Sequence, residues 1–273
     1  MGADNICSLI FKMLPPEIKS LILDMDGVIW KADSAIGNLN AIFNIIHARG
    51  INVAFATNNG TLTPEMYRDR LARFGIIVEK WQVVTSSLVA AHLLCQSLPG
   101  GGPVFVIGET GLLDALRENN FIPLPIEEAG SAQAVIMGVD RGINYLKMSE
   151  AALLVRRGVP FIVTNPDKSF PTTRGEIPGA GAWASVIITA TGITPIYAGK
   201  PAPALFELAR ERLGTSKKET LIVGDRLETD ITGGQADGCP VGLVLSGIST
   251  REQGEAWRPT IDIIAADLSS LIN

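Results

Sequence analysis

The sequence predicts an α/β fold, a parallel sheet covered by helices on both faces, with a second α/β unit inserted into it. Three observations carry this. Short apolar runs alternate with helical patterns along most of the 273 residues. The runs are apolar on both faces, as strands buried under helices must be. Two breaker clusters, Leu98-Pro99-Gly100-Gly101-Gly102-Pro103 and Thr191-Gly192-Ile193-Thr194-Pro195, bracket a stretch with strands and helices of its own. Residues 1–97 and 195–273 would then form one discontinuous core, and 98–194 the inserted unit, entered and left through two hinges.

In chain order, Leu21–Leu23 reads as a buried strand ending in Asp24-Met25-Asp26-Gly27-Val28. A helix follows around Asn38–Ala48, with Gly50 as its stop. Asn52–Ala56 is a second strand, ending in Thr57-Asn58-Asn59-Gly60, and Pro64–Phe74 is a helix closed by Gly75. In the insert, Val104–Ile107, Ala134–Met137 and Phe161–Val163 read as strands, and Leu112–Glu118 and Ser149–Arg157 as helices. Pro203–Leu213 is a helix closed by Gly214, Thr220–Val223 a strand ending in Gly224-Asp225, and Val241–Leu245 one more strand. A weak echo links Arg49-Gly50…Thr57-Asn58-Asn59 with Arg157-Gly158…Thr164-Asn165-Pro166-Asp167; it marks either two related units or, the plainer reading, a shared preference of strand ends for Thr-Asn turns.

Composition narrows the function. With 47% hydrophobic and 19% charged residues, the chain can bury a sizeable core. A net charge of −5 and no Lys/Arg cluster argue against a nucleic-acid partner. Three scattered cysteines, Cys7, Cys95 and Cys239, fit free thiols in a reducing compartment better than a disulfide framework or a zinc site. The N-terminal apolar stretch, broken by Lys12, Pro15 and Pro16, makes a poor secretion signal. The run Ala182–Ile193 is too short to span a membrane, so a cytoplasmic protein without a membrane partner is expected. The two histidines, His47 and His92, fall inside helical patterns, which sets aside histidine-dependent triads.

Polar groups cluster at strand ends and helix starts. The first strand supplies Asp24 and Asp26, the second Thr57 and Asn58. Lys200 precedes a helix in Ala198-Gly199-Lys200-Pro201. The last supplies Asp225 and Asp230. In parallel α/β sheets ligands bind beyond the carboxyl ends of the strands, so these separated residues are candidates for one site. Taken singly, each has a plainer explanation: Asp-x-Asp-Gly and Thr-Asn-Asn-Gly are turn chemistry, Lys-Pro suits a helix start, and Asp230 suits a helix first turn. Together they suit phosphoryl transfer. One carboxylate can attack phosphorus, and a second can protonate the leaving oxygen and then deprotonate water. A magnesium ion, a lysine and hydroxyl or amide donors can neutralise and orient the phosphoryl oxygens.

In these motifs the chain resembles phosphatases of the haloacid dehalogenase superfamily, in the branch of NagD-type or 4-nitrophenylphosphatase-like hydrolases. The resemblance runs from Leu21 to about Leu245. Gly224-Asp225-Arg226-Leu227-x-Thr229-Asp230-Ile231, Thr164-Asn165-Pro166-Asp167, Pro178-Gly179-Ala180-Gly181 and Gly199-Lys200-Pro201 are close to this branch. It implies a Rossmann-like core with an inserted α/β cap of the C2 type. It also implies a Mg2+-dependent hydrolase of small phosphate monoesters that works through an aspartyl phosphate. By the same resemblance Asp24 is nucleophile and magnesium ligand. Asp26 is general acid/base and a ligand through its carbonyl. Thr57, Asn58 and the backbone of Asn59 bind the phosphoryl group, Lys200 bridges nucleophile and phosphate, Asp225 ligates magnesium, and Asp230 supports the metal shell or Lys200. One departure is Ile36-Gly37, where relatives usually have Pro-Gly; it leaves the motifs intact and the loop shape open. A phosphotransferase or mutase on the same scaffold, and a receiver-like phospho-acceptor module, stay as alternatives. Receivers lack the second acid that hastens hydrolysis and have no room for such a cap. The Gly- and Pro-rich segment Phe170–Trp183 is expected to be the cap loop that faces the core, and apolar cap surface could make a homodimer.

Overall fold

A computed structural model describes residues 14–172 and 174–273. Cys7 and the N-terminal stretch read above lie outside the described residues, apart from the prolines Pro15 and Pro16. The elements run β1 Ser20–Leu23, β2 Trp30–Lys31, β3 Ser34–Ala35, α1 Leu39–Ala48, β4 Asn52–Thr57, α2 Pro64–Arg73, β5 Val83–Thr85 and α3 Ser86–Ser97. Then come β6 Gly102–Ile107, α4 Thr110–Arg117, β7 Phe121–Pro123, β8 Val135–Met137, α5 Tyr145–Arg156, β9 Phe161–Val163, β10 Ser169–Thr172, β11 Gly175–Pro178, α6 Ala180–Thr191 and β12 Ile196–Tyr197. The chain closes with α7 Ala204–Leu213, β13 Thr220–Gly224, α8 Thr232–Asp237, β14 Val241–Val244, α9 Arg251–Ala256, β15 Ile263–Ala265 and α10 Leu268–Ile272.

The larger sheet has six parallel strands in the order β15-β14-β13-β1-β4-β5. Its central strands are buried on both faces because helices cover both, which is why Leu21–Leu23 and Leu221–Val223 read as unbroken apolar runs. After β1 the chain moves outward through β4 and β5, and later returns on the other side of β1 through β13, β14 and β15. The order therefore reverses between β1 and β13, where a Rossmann-like sheet opens a crevice at its carboxyl edge. The smaller sheet is also parallel, in the order β12-β9-β8-β6-β7, and reverses between β6 and β8. The carboxyl ends of both sheets contribute to one cleft: Asp24, Thr57 and Arg226 from the larger, Glu109, Gly138 and Thr164 from the smaller.

Local signals explain the helix starts. Asn38 caps α1 by accepting from the Ala41 N–H, Thr63 caps α2 ahead of Pro64, and Asn144 caps α5 by accepting from the Lys147 N–H. α5 thus begins at Tyr145 rather than at the expected Ser149; the exposed Tyr145 and Leu146 hid its first turn. The expected loop Phe170–Trp183 is instead the antiparallel hairpin β10–β11 followed by the first turn of α6. Pro171 and Pro178 are tolerated because a two-stranded hairpin has only edge strands. Ile36-Gly37 directly follows the small hairpin β2–β3, whose turn is Ala32-Asp33, and the Ile36 N–H donates to the Ile29 carbonyl at 2.9 Å. β12 lies beyond residue 194 yet belongs to the smaller sheet. His47 and His92 are exposed on α1 and α3. Among the described residues no helix is long and apolar enough to cross a membrane.

Candidate active site

Asp24 follows β1 at the reversal point, and its main-chain N–H continues the ladder by donating to the Val223 carbonyl at 2.9 Å. The chain then turns sharply around Met25, whose carbonyl accepts from the N–H groups of Val28, Ile29 and Trp30. Gly27 makes this possible. Its φ is +86°, and a Cβ there would lie 2.5 Å from Cγ of Asp225. The turn leaves Asp24 and Asp26 on the wall of the same cleft, whose volume is about 520 Å³.

Lys200 is the centre of charge. Only 3% exposed, it donates from Nζ to Asp24 Oδ1 at 2.6 Å, Asp230 Oδ1 at 2.6 Å and the Ala56 carbonyl at 3.1 Å. Burial alone would lower its pKa. The adjacent Asp230 and Asp24 outweigh that and hold it well above the ordinary lysine value. Asp230 is fixed in turn, since its Oδ2 accepts from the Arg226 N–H at 3.1 Å.

Asp24, Asp225 and Asp230 each offer a carboxylate oxygen, and these oxygens lie within 4.8 Å of one another. Asp225 Oδ2 accepts from the Ile248 N–H at 2.8 Å, but its Oδ1 is buried with no hydrogen-bond partner. Burial and then the charge of Asp230 push Asp225 up to about 6, and burial also raises Asp24, with repulsion from Asp230 and Asp225 adding to it. Three carboxylates against one ammonium leave an excess of buried negative charge. An all-oxygen donor set with an orphaned carboxylate oxygen fits a hard divalent cation.

Asn58 reaches the site differently from expectation. Its side-chain Oδ1 accepts from the Lys200 N–H at 2.7 Å, and its Nδ2 donates to the Lys200 carbonyl at 3.0 Å and to Asp167 Oδ2 at 3.2 Å. The amide is therefore spent on holding the backbone that carries the lysine. Its own carbonyl accepts from Ser86 Oγ at 2.6 Å and Asn165 Nδ2 at 2.8 Å. Thr57 is buried, and its Oγ1 accepts from the Asn59 N–H at 3.1 Å. The Asn59 side chain accepts from Thr61, and its carbonyl accepts from the buried Tyr67 hydroxyl at 3.0 Å.

Residues without an expected role line the cleft or bond to groups that do. Asp167, raised by burial against the hydrogen bond from Asn58, belongs to the turn after β9. The echo of Thr57-Asn58 in Thr164-Asn165 was the available signal, and the two turns prove to touch through Asn165 and Asn58. Trp30 donates from Nε1 to Asp26 Oδ1 at 2.9 Å; nothing in its spacing announces this. On the cap side, Arg141 pairs with Glu109 at 2.5 Å and lies 5.9 Å over the Phe170 ring.

Two family models match the chain, described as haloacid dehalogenase-like hydrolase over residues 21–122 and as HAD-hydrolase-like over residues 197–271. A 5′-nucleotidase, YutF, of Bacillus subtilis is 36% identical over 234 residues, 86% of this chain and 90% of that protein. Among solved structures, NagD from E. coli K-12 superposes with a TM-score of 0.85 at 30% identity, covering 92% of this chain and 97% of that one. The glycerol phosphate phosphatase Rv1692 of Mycobacterium tuberculosis in complex with magnesium gives a TM-score of 0.87 at 32% identity, covering 95% and 78%. The matched stretches hold Asp24, Asp26, Thr57, Lys200, Asp225 and Asp230, and this chain belongs to the haloacid dehalogenase-like hydrolases.

Proposed function

We propose that the protein is a Mg2+-dependent phosphatase that hydrolyses the phosphate monoester of a small metabolite through an aspartyl phosphate on Asp24. The observation that carries this reading is the buried Lys200 bridging Asp24 and Asp230, beside an Asp225 oxygen with no partner. Asp24, Asp225 and the Asp26 carbonyl would hold the cation, with Asp230 fixing Lys200 and the shell. When bound, magnesium supplies charge neutralisation to the phosphoryl oxygens.

The carboxylate of Asp24 attacks phosphorus as the bond to the leaving oxygen breaks, and Asp26 gives its proton to that oxygen. Asp26, now a carboxylate, takes a proton from water, which attacks the phosphorus. The bond to Asp24 breaks and phosphate leaves. Lys200 opposes the rise that burial imposes on Asp24 and meets charge on the phosphoryl group. Thr57 supplies a hydroxyl. Asn58 and Asn59 serve through their main chain, because the Asn58 amide already holds Lys200.

The insert, expected over 98–194, acts as a cap that excludes water and selects the organic half of the substrate. Pairing of β12 with β9 supports a return crossing at about Ala198-Gly199. Turnover of 4-nitrophenyl phosphate with and without magnesium tests the reading, followed by a panel of phosphate esters read by released phosphate. Asp24→Asn should abolish turnover; near-native activity in that variant would sink the nucleophile assignment.

A further inference from the structure

We propose that Trp30 is a positioning residue for the acid/base step, fixing which oxygen of Asp26 carries the proton. The inference rests on the acid/base role given to Asp26 above. Trp30 is fully buried, and its indole N–H donates to Asp26 Oδ1 at 2.9 Å. The two residues are tied a second time through the backbone: they form an isolated bridge, and the Gly27 N–H donates to the Trp30 carbonyl at 2.7 Å. Two side chains pack against the ring. The Arg70 guanidinium lies 4.2 Å from its centroid, and Phe74 stacks at 5.8 Å. Arg70 is anchored by donating to the Ala32 carbonyl at 2.5 Å.

An indole N–H can only donate. It therefore requires an acceptor at Oδ1 in both protonation states of Asp26. The proton that goes to the leaving oxygen is confined to Oδ2, and so is the site that later takes a proton from water. Without this bond the carboxyl group turns freely about its last torsion, which is broad, and either oxygen can carry the proton. Misplacement of about 1 Å in a reacting group costs up to about 10²-fold in rate.

The leaving group gives the test. An alkyl phosphate expels a strongly basic alkoxide and needs the acid, whereas 4-nitrophenyl phosphate expels a weakly basic aryloxide and needs it far less. The ratio kcat/KM reports steps up to phosphoryl transfer, so slow hydrolysis of the acyl phosphate does not mask the difference. Trp30→Phe should lower kcat/KM about tenfold or more on glycerol phosphate, or on whichever alkyl phosphate of a panel the native protein turns over fastest, and at most about threefold on 4-nitrophenyl phosphate. Replacement of Trp30 by β-(3-benzothienyl)alanine keeps the ring's size and removes only the N–H, and should give the same selective loss without opening a cavity. Phe74→Leu disturbs the same packing but leaves the donor, and should show no selectivity. Trp30→Phe on an Asp26→Asn background should cost nothing further on the alkyl ester. Equal losses on both esters, or a selective loss in Phe74→Leu, would overturn the proposal. Full alkyl-ester turnover in Asp26→Asn alone would instead remove the acid/base reading on which it rests.

Discussion

Asp225→Asn should make the metal-free protein more stable while abolishing its stabilisation by magnesium. Asp225 is 1% exposed, one oxygen accepts from the Ile248 N–H, and the other has no partner. Burial, reinforced by Asp230, moves its pKa from 3.8 to about 6. An acid with a raised folded pKa holds its proton more tightly folded than unfolded, so ionising it destabilises the fold. The gap corresponds to about 3 kcal/mol at neutral pH. The metal-free native protein should keep that stability below the ordinary 3.8 and lose it as pH rises through about 6. Asparagine preserves an acceptor for the Ile248 N–H and carries no charge, so the variant should lose the Asp225 share of this pH dependence and keep only that of the other raised acids, Asp24 and Asp167. Magnesium at about 100 times its Kd should stabilise the native protein by about 2.7 kcal/mol and the variant hardly at all. Urea unfolding in EDTA and in magnesium, at several pH values, measures all four quantities. A metal-free variant less stable than the native protein at neutral pH, or an equal response of both to magnesium, would refute the reasoning.

Other substitutions follow from the same geometry. Lys200→Met leaves two buried carboxylates without their cation and should cost about 3–5 kcal/mol, read by urea midpoints, together with all turnover. Asn58→Ala removes the acceptor for the Lys200 N–H and the link to Asp167. It should cost about 1–3 kcal/mol and lower kcat more than it raises KM for 4-nitrophenyl phosphate. Gly111→Ala would normally favour a helix by about 1 kcal/mol. Here its Cβ would fall 2.4 Å from the Gly60 carbonyl oxygen and 2.5 Å from that of Leu62, where the start of α4 meets the core. It should instead destabilise by about 1–3 kcal/mol in thermal or urea melts.

The strands that carry the site were legible because function and burial mark them twice. Leu21–Leu23, Asn52–Ala56 and Thr220–Val223 are apolar on both faces and stop at polar groups, so β1, β4 and β13 are found within a residue or so. The elements missed lack one of those marks. β12 is two residues long at a sheet edge, and β5 is three residues running straight into α3. α6 buries only Ala180, Ala184 and Ile187, so it shows little contrast between faces and passes for an undivided apolar run. Gly and Pro in Phe170–Trp183 suggested a loop, although an isolated hairpin accepts both. In the site, residue types were legible but bond directions were not. A Thr-Asn pair at a strand end cannot announce that its amide will grip the backbone of a lysine 142 positions later. Nor does Trp30, four residues after Asp26, reveal that a turn folds it back.

The amide of Asn58 spans two sheets: it holds Lys200 on one side and Asp167 on the other. The cap is therefore not an interchangeable module. A foreign insert grafted between the two crossings would bring its own cleft wall and selectivity, but it would also have to present an acceptor to this one Nδ2. Without it the amide would lose a partner, and the lysine's backbone would lose part of its anchorage. Chimaeras built on this scaffold should retain full turnover only when the transplanted turn after β9 carries a carboxylate or carbonyl in the place of Asp167.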